Sequence, residues 1–510
     1  MAKADIFLKL KGIKKSFGGV KALKGVDLEI SSGEIHCLVG ENGCGKSTLI
    51  KVISGVYKPD EGSVSINGKE VEHLKPIDAI KMGIQVIYQD FAVFPNLSVA
   101  ENIAMNRIFV EGKKTINWGK SRKMAIDAMN EIGAHIDPNI LLERLSVANK
   151  QIVAICRAIF NDAKLIILDE PTTALTANEI EKLFKVIRNL KEKGIAVMLV
   201  NHKMDEIYEI ADRLTVLRNG EYVSSGSISE YDRARFVRDI TGRDIVDVKY
   251  NPEPNDEVIL SVEGLTKKGA FENVSFTLNK GDVFGITGLL GSGRSEIGDA
   301  LFGINPADTG RIVLNGKEIK INSIDDSIAN RIAYVPEDRL TQGLFLERSI
   351  LDNTIAASIK NYFSKGKLDR SAMEAATDGW IDKLAIATPS SEPPISTLSG
   401  GNQQKVVIAK WLNTNPKLIV LNGPTVGVDI GSKSEIHSIL RGLAKQGMGV
   451  IIISDDLPEL IQNCNKIIII LEGKVVGTVD NSIDQTTLAH KLSCNDMGDI
   501  EIACIDGGIQ

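Results

Sequence analysis

A phosphate-binding loop is the strongest chemical signal in the sequence. The segment from Gly40 to Ser47 reads GENGCGKS and matches the pattern GxxxxGK[ST] between a predicted strand and a predicted helix. Glycines let successive backbone N–H groups point at phosphate oxygens, and the helix N-terminus adds a positive dipole. Lys46 is predicted to reach the β- and γ-phosphates of ATP, and Ser47 to ligate Mg²⁺. The residues predicted to bind ATP in this loop are Gly40, Glu41, Asn42, Gly43, Cys44, Gly45, Lys46, Ser47 and Thr48.

An acidic pair at the end of another apolar strand adds to this chemistry. Asp169 and Glu170 follow the strand residues LIIL, where a carboxylate can hold Mg²⁺, usually through water. Glu170 is the predicted general base for the attacking water. The alternative is that the pair merely closes a strand and caps the next turn, which the phosphate-binding loop makes the weaker interpretation.

Two further polar residues follow strands in the same half of the chain. His202 comes after AVMLVN and is predicted to contact the γ-phosphate and to orient the base and the water. Gln89 lies after GIQVIY, where a neutral amide would sense Mg²⁺ and the water. The predicted metal ligands are therefore Ser47, Gln89 and Asp169, and the predicted catalytic residues are Glu170, His202 and Gln89.

Two residues near the loop have two interpretations each. Phe17, in KKSFGGVKAL, is a candidate to stack on adenine, and is equally well interpreted as a core aromatic. Cys44 lies within the phosphate-binding loop, so that alkylation could block ATP entry; the favoured alternative is a tolerated small residue.

Composition restricts the class of protein. The 510 residues are 43% hydrophobic and 25% charged, which is typical of a soluble globular protein of two domains. The net charge of −6 argues against a protein that wraps nucleic acid, and no apolar run approaches the length of a membrane span. The six cysteines lack metal-ligand spacing and the N-terminus lacks an apolar leader, so a cytoplasmic location is expected.

An internal repeat sets the predicted architecture. GENGCGKST aligns with GLLGSGRSE, IYQD with VPED, LSVAN with LSGGN, and LIILDEPT with LIVLNGPT, all in one order. The repeat predicts a first domain at 1–243, a linker at 244–257, a second domain at 258–492 and an unassigned tail at 493–510. β-Branched runs, such as those at residues 34–39, 164–169 and 196–200, alternate with amphipathic stretches, which predicts a parallel sheet covered by helices in each half.

Together these motifs resemble the ABC ATPase family across nearly the whole chain. LSGGNQQK, beginning at Leu398, is the family's diagnostic signature and precedes a predicted helix. The resemblance implies two tandem α/β domains of the P-loop NTPase class, each with a RecA-like parallel-sheet core, an antiparallel β-subdomain and a helical signature subdomain. It also implies that each ATP lies between the loop of one domain and the signature of the other, so that Ser399, Gly400 and Gly401 complete the first site.

The second composite site departs from the family pattern at nearly every functional position. Arg294 replaces the lysine, Glu337 the glutamine, Asn422 the Mg²⁺-binding aspartate, Gly423 the base and Asp455 the histidine. Hydrolysis there is predicted to be very slow, while tight non-hydrolysed binding and no binding are equally expected. The residues assigned to this degenerate site are Gly288, Gly293, Arg294, Ser295, Glu337, Asn422, Gly423, Asp455, Ser146 and Ala148.

The fused domains, AYVPEDR from Ala333 to Arg339 and LSGGNQQK look like the simple-sugar importer subfamily. That resemblance implies a homodimeric membrane permease and an extracytoplasmic sugar-binding protein as partners, with this chain at the cytoplasmic face of the membrane. No contact with the sugar or with nucleic acid is expected. Import of a nucleoside or autoinducer-2 is the nearer alternative, and a soluble tandem ABC protein acting on ribosomes or DNA the more distant one.

Overall fold

The computed structural model describes residues 5–493, except positions 73, 89–92, 111–117, 174, 202, 245–248, 254 and 365. The chain divides into two compact units, Met1–Ile245 and Val246–Gln510. The division lies inside the stretch 244–257 that the sequence predicts as the linker.

The first unit alternates strands and helices in the order expected of an α/β domain. Its described strands are β1 (Ile6–Phe17), β2 (Val20–Ser31), β3 (Ile35–Val39), β4 (Glu61–Ile66), β5 (Lys69–Glu70), β6 (Ile84–Ile87), β7 (Leu165–Asp169), β8 (Ala196–Val200), β9 (Arg213–Arg218) and β10 (Glu221–Ser227). Its described α-helices are α1 (Lys46–Ile53), α2 (Pro76–Lys81), α3 (Val99–Val110), α4 (Trp118–Glu131), α5 (Val147–Phe160), α6 (Ala177–Glu192), α7 (Met204–Ile210) and α8 (Arg233–Thr241).

The strands of the first unit form two sheets. The core sheet has the order β10-β9-β3-β8-β7-β6, and its neighbours are parallel except for the β9–β10 pair. All residues of β3 and β8 are buried, because helices cover both faces of a parallel sheet. The other sheet, β2-β1-β4-β5, is antiparallel, while α3, α4 and α5 pack together as a helical subdomain.

The second unit repeats this sequence of elements and has in addition, among the described residues, a short two-stranded hairpin. Its described strands are β11 (Val258–Lys267), β12 (Phe271–Asn279), β13 (Val283–Gly288), β14 (Thr309–Leu314), β15 (Lys317–Ile319), β16 (Ile332–Val335), β17 (Phe363–Ser364), β18 (Lys367–Leu368), β19 (Leu418–Asn422), β20 (Gly449–Ile453), β21 (Lys466–Leu471) and β22 (Lys474–Asp480). Its described α-helices are α9 (Arg294–Phe302), α10 (Ile324–Ala329), α11 (Ile350–Ile355), α12 (Arg370–Lys383), α13 (Gly400–Leu412), α14 (Ile430–Lys445), α15 (Leu457–Asn463) and α16 (Gln485–Ser493).

The sheets of the second unit have the same topology as those of the first. The core order is β16-β19-β20-β13-β21-β22, beside an antiparallel sheet β12-β11-β14-β15. A parallel-sheet core, an antiparallel β-subdomain and a helical subdomain in each half confirm the predicted fold class. No helix among the described residues is long and apolar enough to cross a bilayer.

Part of the predicted linker is packed against the second unit. Tyr250 is buried; its hydroxyl donates to the Gly281 carbonyl at 2.7 Å and its backbone N–H donates to the Gln462 carbonyl at 2.8 Å. The Asn481 side-chain amide donates to the Tyr250 carbonyl at 2.8 Å. Residues around Tyr250 are therefore held as part of the second unit, although their Pro-rich, charged sequence shows no apolar periodicity.

Candidate active site

The phosphate-binding loop joins β3 to α1 in the first unit. Lys46 is the first residue of α1, and its Nζ donates to the carbonyl oxygens of Gly40 at 2.7 Å and Glu41 at 2.9 Å. Gly45 has a φ of +105°, and a Cβ there would lie 2.7 Å from the Ala22 carbonyl oxygen. Only glycine fits this position. The turn that it allows lets the Lys46 side chain fold back over the loop and reach its carbonyl groups.

The acidic pair lies at the end of β7, as the sequence predicts, and β8 lies between this strand and β3 in the sheet. Glu170 has a φ of +47°, and its N–H donates to the Val200 carbonyl at 3.0 Å on the adjacent strand β8. A non-glycine residue in the left-handed region costs about 1–3 kcal/mol and is a feature of functional sites. The conformation turns the chain sharply away from the sheet directly after Asp169.

The oxygen donors at this edge fit a magnesium ion. Asp169 supplies a carboxylate and Ser47 a hydroxyl, which are hard donors of the kind Mg²⁺ takes in proteins. Burial and then the neighbouring Glu170 raise the pKa of Asp169, whereas the positive charges of Lys46 and Lys51 oppose the shift. A bound divalent cation would relieve the repulsion between the two carboxylates.

Of three further predicted site residues in the first unit, the structure describes Phe17 alone. Gln89 and His202 lie outside the described residues, although Asn201 is described and its side-chain oxygen accepts the Lys203 N–H at 2.9 Å. Phe17 ends β1 with its ring 40% exposed, and it makes an edge contact with Tyr57 at a centroid distance of 5.0 Å. Phe17 is thus accessible and is not a core residue.

The signature sequence of the second unit caps a helix. Ser399 precedes α13, and its Oγ accepts the Asn402 side-chain amide at 2.9 Å and the Asn402 backbone N–H at 3.5 Å. A Cβ on Gly401 would lie 2.1 Å from Ser432 Oγ, and one on Gly400 would lie 2.7 Å from an Arg339 side-chain nitrogen. The packing around this helix N-terminus therefore requires glycine at position 401, whereas at position 400 the end of the flexible Arg339 side chain could move aside.

Arg339 connects the signature helix to the loop at Val426 and Gly427, a role that the sequence did not reveal. Its guanidinium donates to the Val426 carbonyl at 2.7 Å and the Gly427 carbonyl at 3.3 Å, and to Gln403 Oε1 on α13 at 3.4 Å. The segment AYVPEDR, which ends at Arg339, indicated the subfamily in the sequence analysis but did not indicate these hydrogen bonds.

Comparison with known proteins decides the family. The family model described as ABC transporter matches residues 23–173 and 271–426. The chain belongs to the ABC transporter family. Because both halves match, the predicted tandem arrangement of this ABC ATPase is confirmed.

Relatives of this ABC ATPase match it almost end to end. A putative ribose/galactose/methyl galactoside import ATP-binding protein 2 of Rhizobium meliloti (strain 1021) is 39% identical over 482 residues, covering 94% of either chain. The ribose import ATP-binding protein RbsA of Geobacillus kaustophilus (strain HTA426) is 42% identical, covering 94% of this chain and 98% of the relative. Among solved structures, MJ1267, an ATP-binding cassette of an ABC transporter in its ADP conformation, is 27% identical with a TM-score of 0.43, covering 46% of this chain and 97% of its own.

The equivalent loop in the second half of the ABC ATPase keeps its backbone and changes its chemistry. Gly293 has a φ of +94°, and a Cβ there would lie 2.4 Å from the Ala270 carbonyl oxygen. Arg294 donates to the Gly288 carbonyl at 2.5 Å and forms an ion pair with Asp455 at 3.2 Å. The cation that stands where Lys46 stands in the first unit is therefore offset by a carboxylate.

The strand end beside this second loop also lacks the two carboxylates found in the first unit. Asn422 ends β19, with its Oδ1 3.5 Å from Ser295 Oγ. Gly423 has a φ of +58° and donates its N–H to the Ile453 carbonyl at 2.8 Å. A Cβ on Gly423 would lie 3.1 Å from Glu337 Cγ. The unit thus retains the turn of the first site without a carboxylate at the position of Glu170.

The remaining signature sequence of the ABC ATPase, LSVAN, also begins a helix. Ser146 caps α5 by accepting the Asn149 N–H at 3.3 Å. Ala148 occupies the position of Gly401, and Glu179 that of Ser432, in the aligned repeat. The cap is retained, while the position that needs glycine in the second unit carries a methyl group here.

We expect Cys44 to react slowly with thiol reagents at neutral pH. The side chain is 3% exposed, and burial raises the pKa of its thiol, which outweighs the opposing effect of Lys46. Since the thiolate is the nucleophile, labelling should accelerate as the pH rises above the usual thiol range. Mass spectrometry of the Cys44 peptide after N-ethylmaleimide treatment, with urea-unfolded protein as the fast reference, measures this.

The same treatment should leave ATPase activity unchanged at pH 7. Cys44→Ala is the matched control, because it removes the thiol and keeps a small side chain. Rapid labelling of native protein at pH 7, with an ATPase loss that Cys44→Ala prevents, would contradict the expectation.

We expect Arg339→Ala to destabilise the second unit. The change removes charge-assisted hydrogen bonds to two carbonyl groups, which costs about 1–2 kcal/mol for a half-buried guanidinium. For a unit of this size the melting temperature should fall by about 2–6 °C. Arg311→Ala is the control, since the ion pairs that Arg311 makes with described residues, Glu263 and Glu318, are exposed. Equal melting temperatures for the two variants would contradict the assigned role of Arg339.

Proposed function

We propose that this ABC ATPase hydrolyses ATP at one competent site and thereby drives import of a simple sugar through a membrane permease. The observation that carries the proposal is the arrangement at the edge of the first sheet, where Lys46, Asp169 and Glu170 meet. The relatives named as ribose or ribose/galactose import ATP-binding proteins, which match over more than nine-tenths of the chain, support the substrate class.

The competent site combines the loop of the first unit with the signature of the second. Backbone N–H groups of the loop and the Lys46 ammonium bind the phosphates, and Ser399 with Gly401 at the start of α13 binds the same nucleotide from its other side. Ser399 caps the N-terminus of α13, and the two glycines form the first turn of that helix, which supports this role. Phe17, exposed at the end of β1, stacks on the adenine.

Hydrolysis in this site is divided among the polar residues of the first unit. Ser47, Gln89 and Asp169 would hold a Mg²⁺ ion, which would supply charge neutralisation at the β- and γ-phosphates. Glu170 accepts a proton from the attacking water, and His202 contacts the γ-phosphate and orients that water. Lys46 exchanges its contacts with the loop carbonyls for phosphate oxygens.

The second site is proposed to be nearly inactive in hydrolysis. Gly423 offers no proton acceptor, and Asn422 offers an amide where the first unit has a carboxylate. Asp455 partly neutralises the positive charge of Arg294 in their ion pair, so this loop attracts phosphate less strongly than a loop whose cation has no carboxylate beside it. Turnover of ATP therefore depends on the first loop.

An ATPase that drives import requires partner proteins that carry the sugar across the membrane. We propose that the chain associates at the cytoplasmic face of the membrane with a homodimeric permease, which receives sugar from an extracytoplasmic binding protein. Closure of the two nucleotide-binding domains on ATP moves the loops near Gln89 and Glu337 against the permease, and hydrolysis reopens them. The chain itself does not contact the sugar.

A reconstituted complex tests the proposal. Stimulation of ATPase activity by one monosaccharide among a panel delivered by the binding protein would support sugar import and name the substrate. Stimulation by nucleosides or autoinducer-2 alone would redirect the function within the importers. Copurification with ribosomes and not with a permease would overturn it.

A further inference from the structure

The Glu206 carboxylate joins the two loops that carry the predicted base and the predicted γ-phosphate histidine. It lies on α7, and its Oε2 accepts hydrogen bonds from Thr172 Oγ1 at 2.5 Å and from Asn201 Nδ2 at 2.6 Å. Thr172 is two residues after Glu170, and Asn201 is one residue before His202. One oxygen atom thus bridges the segments that follow β7 and β8.

Both donors are held where solvent cannot replace the carboxylate. Thr172 is 1% exposed and Asn201 is 5% exposed, while the Glu206 side chain is 12% exposed. Hydrogen bonds to an ionised carboxylate are stronger than neutral ones, and a buried donor without its acceptor carries a desolvation cost. Loss of Glu206 would therefore remove the acceptor that the two segments share.

The loop after β8 is fixed from a second direction through the same network. Asn201 Oδ1 accepts the Lys203 N–H at 2.9 Å, and Lys203 Nζ pairs with Glu206 Oε1 at 3.0 Å. The backbone on either side of position 202 is therefore tied to Glu206 by way of Asn201 and Lys203. On the β7 side, the Glu170 N–H donates to the Val200 carbonyl, and this backbone hydrogen bond joins the end of β7 to the end of β8.

We propose that Glu206 is a positioning residue for ATP hydrolysis, which sets the relative placement of the Glu170 and His202 loops without touching the nucleotide. The proposal rests on the proposed hydrolysis in the first unit. A displacement of about 1 Å in a reacting group lowers a rate by about a hundredfold, so a network that fixes two loops at once can control turnover.

The second unit contains a matched carboxylate that separates this role from a structural one. Glu459, on α15, occupies the aligned position and accepts Thr425 Oγ1 at 2.8 Å, Ser454 Oγ at 2.6 Å and His437 Nε2 at 2.7 Å. It bridges the same two segments, but beside Gly423 and Asp455 in place of the base and the histidine. The packing contribution is therefore present in both units, and the catalytic one only in the first.

The test compares Glu206→Ala, Glu206→Gln and Glu459→Ala in the full chain assembled with its permease. We expect Glu206→Ala to lower kcat by about 10²-fold with the Kd for ATP within about threefold of wild type. Glu206→Gln keeps one oxygen that can accept from both Thr172 and Asn201, and should recover kcat to within about tenfold of wild type. Glu459→Ala should keep kcat within about threefold, with a comparable fall in melting temperature.

The outcomes separate this inference from the function on which it rests. Wild-type kcat in Glu206→Ala, or equal losses of kcat in Glu206→Ala and Glu459→Ala, would overturn the positioning role. A loss in Glu206→Ala that appears only as a weaker Kd for ATP would also overturn it. Full activity in Glu170→Gln would instead overturn the proposed hydrolytic site, whatever the Glu206 variants show.

Discussion

Glu170→Gln should reduce ATP turnover by about 10²–10⁴-fold, the range that a general base contributes. Glutamine keeps the size of the side chain and its hydrogen-bonding capacity but cannot accept the proton of the attacking water. The φ of +47° and the N–H bond to Val200 are backbone features that the substitution leaves in place. Steady-state phosphate release from the assembled complex measures the loss, and ATP binding should persist.

The reciprocal change, Gly423→Glu, should barely raise activity. The new Cβ would lie 2.9 Å from Val426 Cγ2 and 3.1 Å from Glu337 Cγ, in a backbone conformation with a φ of +58°. The base would thus enter a strained position beside Asn422, with Asp455 in place of the histidine. Substantial ATPase activity in Glu170→Gln, or a large gain in Gly423→Glu, would show that the second loop hydrolyses ATP.

Lys46→Ala should abolish turnover, whereas Arg294→Ala should leave it within about threefold of wild type. Lys46 supplies a preorganised cation to the phosphates, and removal of one such group costs about 10²–10³-fold in kcat. Arg294 is already bonded to the Gly288 carbonyl and paired with Asp455, so its removal takes little away from a site that lacks a base. ATPase assays on the assembled complex, with melting temperatures of both variants, provide the measurement.

Arg294→Lys is the control for the buried side chain. Arg294 is 6% exposed, and alanine at this position could lower stability through lost packing alone. Lysine preserves the charge and much of the stem. Equal losses of turnover in Lys46→Ala and Arg294→Ala, with Arg294→Lys fully active, would mean that the second loop is essential and that the division of labour between the sites is wrong.

The sequence predicted the elements that position the site because its signals are local. A glycine-rich loop between an apolar strand and a helix, and carboxylates directly after another strand, lie at one edge of a parallel sheet by the geometry of the fold. The strands predicted at residues 34–39, 164–169 and 196–200 are confirmed within one residue as β3, β7 and β8.

The contacts that the sequence did not reveal join residues far apart in the chain. The Arg294–Asp455 ion pair and the bonds from Arg339 to Val426 and Gly427 depend on side-chain direction at the ends of different elements. Glu206 was one of several acidic residues in MDEIYEI, and nothing in that pattern distinguishes it from its neighbours. Glu206 is distinguished by its two buried donors, Thr172 and Asn201, and their burial depends on tertiary packing.

The turn after β7 and its counterpart after β19 share a left-handed backbone conformation, with Glu170 in the first and Gly423 in the second. The two residues differ in the conformational strain that they carry and in the chemistry that their side chains could perform. Glu170 holds a conformation that L side chains resist, whereas Gly423 adopts it without steric conflict. A protein engineer who replaced Glu170 by glycine would expect a more relaxed first unit with no catalytic turnover. The second half already carries glycine at this turn, so one chain contains the same backbone conformation with a glutamate in one unit and with a glycine in the other.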